Sequence, residues 1–336
     1  MLDSKDRKII KELWMNARQT NSSLAKKAGL SREVVDYRVK KLEERDMIQG
    51  FMTLVDSGLL GYTTFNVFLR LKDFQQSNEI TQKIRKDTHV KWLITLSGRY
   101  DLFFVMIEKN RKGFDRRLNR ILQDYQHNIA RYHVLNSVEM IKDVSTLNLS
   151  AEALESFHYE ESFEPWDADV RIDVLDYEIL RAISRNCRLT TVEIAKKIGE
   201  KITPAAVSYR IKKLESQRVI RGYRPILNLN RMGYLWYLLL FNLNSIPDDL
   251  RNRLKGSLKQ NTNIIYADKT LGEWNLRLEL LVGDHEEFHQ ELLDLRHMLS
   301  RYMDDYELMV VFEDHNMISF TEGMYKDAIR DNKRFT

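Results

Sequence analysis

One cysteine in 336 residues excludes any disulfide framework, so packed cores must hold this chain together. That residue, Cys187, stands where the equivalent helix in the first half carries Ala17, which reads as a buried small side chain rather than a reactive thiol. No apolar run approaches the ~18 residues of a membrane span. The N-terminus enters a charged amphipathic pattern at once, without the apolar stretch and small-residue cleavage site of a secretory signal. A cytoplasmic protein with no membrane partner is therefore expected. The eight histidines lack metal-ligand spacing: His285 and His289 are four apart on a helix, with neither a Glu-x-x-His context nor a third ligand. No metal, catalytic group or cofactor is expected, and no enzyme.

Net charge is scarce too, only +4, but it is unevenly placed. Residues 1–56 carry 12 Lys and Arg against 9 Asp and Glu, and residues 172–230 carry 12 against 6, whereas 151–170 holds seven acids and no Lys or Arg. Positive charge gathers on two segments, as a phosphate-binding surface requires.

Those two segments are copies of one another. Asp3, Asp6, Ile9, Ile10, Leu13, Asn16, Arg18, Thr20, Leu24, Ala25, Lys26, Lys27 and Gly29 recur 170 positions later as Asp173, Asp176, Ile179, Leu180, Ile183, Asn186, Arg188, Thr190, Ile194, Ala195, Lys196, Lys197 and Gly199. After two extra residues, Glu200 and Lys201, the match resumes at a shift of 172, with Tyr37 to Glu43 against Tyr209 to Glu215. Solenoid units span only roughly 20–50 residues, so what is duplicated is a whole two-domain unit.

In each head the apolar residues fall at helical spacing in three bursts, Ile9/Ile10/Leu13, Leu24/Ala28 and Val35/Val39/Leu42 in the first copy. Start signals accompany them: Thr190 with Glu193 has capping-box spacing, Ser31 can cap a third helix, and Thr203-Pro204 places a cap and a first-turn proline at the matching point. Gly29 or Gly199 ends the second helix, and the third begins two or four residues on, the tight connection of a helix-turn-helix. Ile48-Gln49-Gly50-Phe51 and Ile220-Arg221-Gly222-Tyr223 follow as strand-like segments in which glycine permits the bend of a β wing.

Each tail alternates strand, helix, two strands, helix, strand. The first copy is assigned to 63–71, 77–86, 92–96, 101–107, 113–124 and 131–141, the second to 234–243, 247–260, 264–269, 274–281, 284–301 and 306–313. This βαββαβ order is ferredoxin-like. The expected fold is α+β, two copies of a winged helix-turn-helix domain (1–56 and 171–230), each followed by a ferredoxin-like domain (57–142 and 231–320). An acidic linker (143–170) and a C-terminal tail (321–336) complete it. Such a sheet is covered by helices on one face only, and its other face, with Phe65, Val67, Trp92, Phe103, Tyr237 and Leu239, must find a partner. The two sheets can pair within the chain or with tails of another chain.

Asp-x-x-Asp ahead of helix one, Gly29-Leu30-Ser31, Arg38-Val39-x-x-Leu42-Glu43, Ile48-x-Gly50-Phe51 and Ser97-Gly98-Arg99-Tyr100-Asp101-Leu102 together resemble the Lrp/AsnC family of leucine-responsive type transcription regulators. The resemblance covers nearly the whole chain, twice over. It implies DNA-binding heads, a domain that dimerises through its sheet, an amino acid or similar small molecule as effector, and homo-oligomers. The effector region of relatives falls here on Ser97, Gly98 and Asp101 and on Gly272 and Asn275. Arg99 stands where the family carries an acid, Asn275 stands in place of Asp101, and a plain structural turn is the alternative.

A third helix in the major groove of double-stranded DNA would offer Ser31, Arg32, Glu33, Asp36, Tyr37 and Lys40 to base edges in the first copy. The second would offer Thr203, Pro204, Ala205, Ser208, Tyr209 and Lys212. Arg32 can pair with guanine and Asp36 or Glu33 can accept from cytosine, whereas the second set suits thymine methyls. The heads should therefore prefer different half-sites, meeting major grooves about 34 Å apart. Lys26, Lys41, Lys196, Lys213, Arg221 and Arg224 read as phosphate contacts or, alternatively, as a solvated basic face. Arg38 and Arg210, at inward positions, are expected to tie the third helix to the wing. Two competing functions share this architecture. One is a sirohaem decarboxylase-like tetrapyrrole enzyme, whose histidine motif has no counterpart in Lys91-Trp92-Leu93-Ile94-Thr95 or Ile264-Ile265-Tyr266-Ala267-Asp268. The other is a chromatin-coating protein without sequence choice.

Overall fold

The structure is a computed structural model that describes residues 2–73, 77–142, 170–199, 202–244 and 248–332. The first copy runs α1 (Ser4–Met15), α2 (Asn21–Ala28), α3 (Arg32–Glu44), β1 (Ile48–Val55), β2 (Thr63–Leu71), α4 (Ser77–Arg85), β3 (Val90–Ser97), β4 (Leu102–Glu108), α5 (Arg111–Asp124) and β5 (Ile129–Lys142). The second repeats it as α6 (Val174–Ile183), α7 (Thr191–Ile198), α8 (Pro204–Ser216), β6 (Ile220–Leu227), β7 (Leu235–Leu243), α9 (Asp248–Gln260), β8 (Ile264–Leu271), β9 (Leu276–Val282), α10 (His285–Leu299) and β10 (Met303–Met317), and α11 (Glu322–Asn332) ends the chain. Residues 143–169 of the acidic connector, and the inserted Glu200 and Lys201, lie outside the described residues.

Local chemistry explains the helical heads. Asp3 and Asp6, like Asp173 and Asp176, form reciprocal capping boxes that satisfy the first free amides of α1 and α6. Thr20 and Thr190 cap α2 and α7, and Gly29, with φ of 67°, supplies the left-handed residue that turns the chain into α3. Ile9, Leu13, Leu24, Val35 and Leu42 are buried, as are Ile179, Ile183, Ile194, Val207 and Leu214 of the second head, and both sets belong to one continuous apolar core that runs into the barrel interior. Cys187 is buried as well, and burial pushes its thiol up to about 12.

The wings depart from expectation. Neither β1 nor β6 folds back into a hairpin of its own head. Each pairs antiparallel with the other, with Thr53 opposite Tyr223 and Met52 opposite Arg224, in a two-stranded sheet shared by the copies. The ferredoxin-like sheets also join. Their strand orders are β3-β4-β2-β5 and β8-β9-β7-β10, and the β5–β8 and β10–β3 pairs close all eight strands into one barrel within the chain. Helices α4 and α5 cover one outer face, α9 and α10 the other.

The assignment of faces needs correction. Phe65 and Val67 pack with Ile80, Phe114 and Leu118 under α4 and α5, and Tyr237 and Leu239 lie in the core with Leu254, Leu258 and Leu295 under α9 and α10. Of the six residues expected on the face seeking a partner, Phe103 and Trp92 alone belong to the inner, sheet-to-sheet core. Residues 321–336, expected as a tail, contain a packed helix. From α11, Glu322 accepts from Arg181 of α6 at 3.0 Å, and Asp327 accepts from Tyr62 at 3.2 Å and lies 3.2 Å from His89 Nε2, tying the second head to the first sheet domain.

Candidate nucleic-acid interface

On α3, Ser31, Arg32, Glu33, Asp36, Tyr37 and Lys40 are all exposed, with Tyr37 at 64%. On α8, Thr203, Pro204, Ala205, Tyr209 and Lys212 are exposed and Ser208 is half-buried. Both helices turn their apolar stripe, Val35/Val39/Leu42 and Val207/Ile211/Leu214, into the head, leaving the opposite face open to a groove. The open faces differ chemically. On α3, Arg32 pairs with Asp36 at 3.5 Å, Asp36 also accepts from Asn21, Lys40 pairs with Glu44 at 3.8 Å, and Ser31 caps the helix. The Glu33 carboxyl is held below its ordinary range by its own backbone N–H and by the Ser31 hydroxyl. Small atoms and Tyr209 fill the matching turn of α8.

Arg38 and Arg210 tie the third helix not to a wing but to the cap of the first helix. Arg38 reaches Asp3 and Asp6, each at 2.7 Å, and Arg210 reaches Asp173 at 2.7 Å and Asp176 at 2.8 Å. The Asp-x-x-Asp motif thus does two jobs, capping one helix and anchoring the arginine of another.

The basic residues divide. Lys26, Lys41 and Lys196 are exposed, Lys41 lying 5.6 Å from the Tyr37 ring. Three others are corrected. Lys213 is bound by Asp176 at 3.0 Å and by the Arg171 carbonyl at 2.8 Å. Arg221 forms a 2.6 Å pair with fully buried Asp56, and Arg224 is 6% exposed, stacked 4.7 Å over Trp14. A guanidinium enclosed in protein cannot reach a phosphate, so Arg221 and Arg224 serve the joint between head and barrel.

The heads are locked to each other by a symmetric exchange. Ala17 N–H donates to the Tyr223 carbonyl at 3.0 Å, and Cys187 N–H donates to the Phe51 carbonyl at 2.8 Å, the same bond made from opposite copies. Arg18 donates to the Cys187 carbonyl and Arg188 to Asn21. Sequence reasoning missed Arg18, Arg188 and Asn21. Their signal was the repeat itself, which carries Arg18 and Arg188 at a position with no apolar duty.

The expected effector turns are occupied by the fold. Asp101 accepts from Leu71 N–H at 2.7 Å and Arg70 at 3.2 Å, and its own N–H donates to Leu69. Asn275 mirrors this, accepting from Leu243 N–H at 2.9 Å and donating to the Leu243 carbonyl at 2.6 Å. Ser97, Gly98 and Gly272 are exposed beside them, and a Cβ at Gly98 would come within 2.8 Å of the Leu308 carbonyl. Arg99 joins the two turns through Glu307 at 2.9 Å and Glu273 at 3.2 Å. Asp101 and Asn275 therefore act as clamps between strands.

Two helix-turn-helix heads on a closed α+β barrel define a duplicated winged-helix architecture, and the comparisons place it. The winged helix-turn-helix DNA-binding family matches at residues 2–49 and again at 172–221. An uncharacterised HTH-type transcriptional regulator of Pyrococcus furiosus is 32% identical over 126 residues, 37% of this chain and 80% of the relative. A leucine-responsive regulatory protein of Rhizobium meliloti is 42% identical over 65 residues, 19% of this chain and 40% of the relative. The chain belongs to the Lrp/AsnC family of helix-turn-helix transcription regulators. In fold it is also similar to the sirohaem decarboxylase NirDL, with a TM-score of 0.63 over 98% of this chain and 100% of that one, at 13% identity. No helix among the described residues is long and apolar enough to cross a membrane.

Proposed function

We propose that this chain is a sequence-specific regulator that binds double-stranded DNA through two non-equivalent recognition helices and so reads an asymmetric site. The observation that carries this reading is the pair of exposed, chemically different faces of α3 and α8 on heads fixed to each other by the β1–β6 sheet. Arg32, Glu33, Asp36, Tyr37 and Lys40, with the Ser31 cap, face one half-site. Thr203, Pro204, Ala205, Ser208, Tyr209 and Lys212 face the other. Lys26, Lys41 and Lys196 supply phosphate contacts. The Arg32–Asp36 pair must open for Arg32 to grip a guanine, a small cost because exposed pairs are worth about 0–1 kcal/mol. Exchanging the exposed residues of α3 and α8 tests the reading: selection from a random DNA pool should return a reordered site, and an unchanged site would refute it.

We read the protein as a cytoplasmic, nucleoid-associated regulator and not an enzyme. The likeness to the decarboxylase is one of fold, and Lys91 to Thr95 and Ile264 to Asp268 carry no histidine. A haem-type absorbance band after reconstitution with sirohaem would reverse that judgement. Homo-oligomers would form through outer surfaces, since the sheet faces already cover each other within the chain. An amino acid effector would need groups other than Asp101 and Asn275, which the strands engage.

A further inference from the structure

Helices α5 and α10 occupy the same place in the two copies, and Asn110 and Asp284 cap them at the same point. Position by position, Lys112 therefore corresponds to Glu286, Arg116 to Gln290 and Arg120 to Asp294. Members of each set are four residues apart, which stacks them in one row along the helix. All six side chains are exposed, one row on each of the two opposite outer faces of the barrel. The same row is thus cationic in one copy and acidic in the other. Over the whole helices, α5 carries five Lys and Arg against two Asp, and α10 one Arg against four acids.

Neither row is neutralised inside the chain. The acids around α5 are already engaged: Asp87 and Glu108 by Arg117, Asp124 by Lys83, Asp331 of α11 by Lys109, and Asp327 by His89 and Arg330. Asp115, on α5 itself, accepts from Asn119. On α10, Glu287 and Glu291 accept from Asn263 and Asp294 accepts from Gln290. Among the described residues no Lys or Arg pairs with an acid of this helix. Like charges one turn apart repel, so the cation row costs α5 stability that a partner of opposite sign restores.

We propose that the cation row of α5 docks on the acid row of α10 in a second copy of this chain. DNA phosphates would satisfy the cations but not the acids, whereas one contact between copies satisfies both rows. Repulsion excludes a twofold dimer that sets either row against itself, so the contact joins unlike faces. Because the rows lie on opposite faces, each pair of copies keeps one row of each sign free, and copies add head to tail until a ring closes or a filament extends. Leu293, 43% exposed beside the acid row where α5 has Asn119, adds apolar surface at the contact. Exposed pairs are individually weak and screened by salt, which makes the assembly dependent on concentration and ionic strength.

This contact rests on the homo-oligomer reading above and names its surfaces. Sedimentation velocity of the full chain without DNA tests it. The average mass should rise with concentration at about 0.1 M salt and fall back at about 1 M, where the Debye length shrinks from ~10 Å to ~3 Å. The reversal Lys112→Glu, Arg116→Glu and Arg120→Glu, or the reversal Glu286→Lys and Asp294→Lys, should each weaken association about tenfold or more. An equimolar mixture of the two variants should regain the original strength, since each offers the sign that the other lacks, and that recovery shows both to be folded. An unaltered chain that stays single at both salt concentrations overturns this contact together with the homo-oligomer reading. Association that survives both reversals, or a mixture no stronger than its components, overturns the contact and leaves that reading standing. So does weakening by the α5 reversal alone, which sends the cations to a different partner.

Discussion

The two halves of the barrel share a topology but not the chemistry of the faces they turn toward each other. In the first, Ile94 stands opposite Phe103, and Val105 follows at the next inward position. In the second, the matching places hold Asp268 opposite Arg277, and then Glu279. Arg277 bonds Asp268 at 2.9 Å and Asn66 of the first half at 3.3 Å, packed between the rings of Phe103 and Tyr266 at 5.2 and 4.6 Å. A duplicated fold thus tolerates an apolar pair and a buried ion pair at one position, provided the charges find partners. Specific polar bonds across the seam fix how one half sits on the other, a registry that apolar contact alone leaves loose.

The largest effect should come from breaking that pair on one side. Asp268→Ala or Arg277→Met leaves one charge enclosed and should cost about 3–5 kcal/mol, read from denaturant midpoints. Asp268→Ile combined with Arg277→Phe copies the first half and should recover most of the loss. If the double variant is as unstable as the singles, the second half needs its charges for more than mutual compensation.

Next in size is a difference between heads. Arg32→Ala should weaken DNA binding by about 1–3 kcal/mol and relax choice at one position of one half-site, measured by binding to singly altered sites. Ala205→Gly on α8 should move affinity much less. Equal effects would remove the asymmetry proposed for the operator. Lys26→Ala and Lys196→Ala should instead lower affinity alike on all sequences, each reducing the salt slope by about 1.

What could be read in advance follows the range of each interaction. The six head helices were legible because their signals are local: Asp3 with Asp6, Thr190 with Glu193, Gly29 after Ala28. The strand order of the sheets was legible from alternation and spacing. The pairing of β1 with β6 was not, because Ile48 and its partner Leu227 lie far apart in the chain and each strand alone reads as half of a local hairpin. Inner and outer faces were confused for the same reason that the barrel is stable: β2 is apolar on both, with Phe65 and Val67 outward and Phe68 inward, so alternation carries no sign. Arg221 and Arg224 look like phosphate ligands in the sequence because a basic residue on a wing is solvent-facing unless a second wing covers it, and here one does.

The smallest expected effect separates the two caps. Asp3 is held below the ordinary carboxylate range by the Asp6 backbone N–H and then by Arg38. Burial works against Asp173, yet the Arg210 guanidinium and the Asp176 N–H still lower it. A carboxyl depressed in the folded state stabilises the protein above its unfolded value, and that contribution disappears as pH falls through the folded value. Both heads should therefore loosen in acid, below the ordinary aspartate range and not near neutrality. Asp3 and Asp173 are both open to solvent, and screening keeps the share of each slight. Asp173 accepts from Arg210 through both carboxylate oxygens, whereas Asp3 accepts from Arg38 through Oδ2. Asn at either position retains the cap but drops the charge, so melting curves of Asp173→Asn and Asp3→Asn between pH 6 and pH 3 isolate the term. Asp173→Asn should flatten the acid limb a little more than Asp3→Asn, in line with its second bond to arginine. The reverse order would mean that the second Arg210–Asp173 bond adds nothing to the linkage.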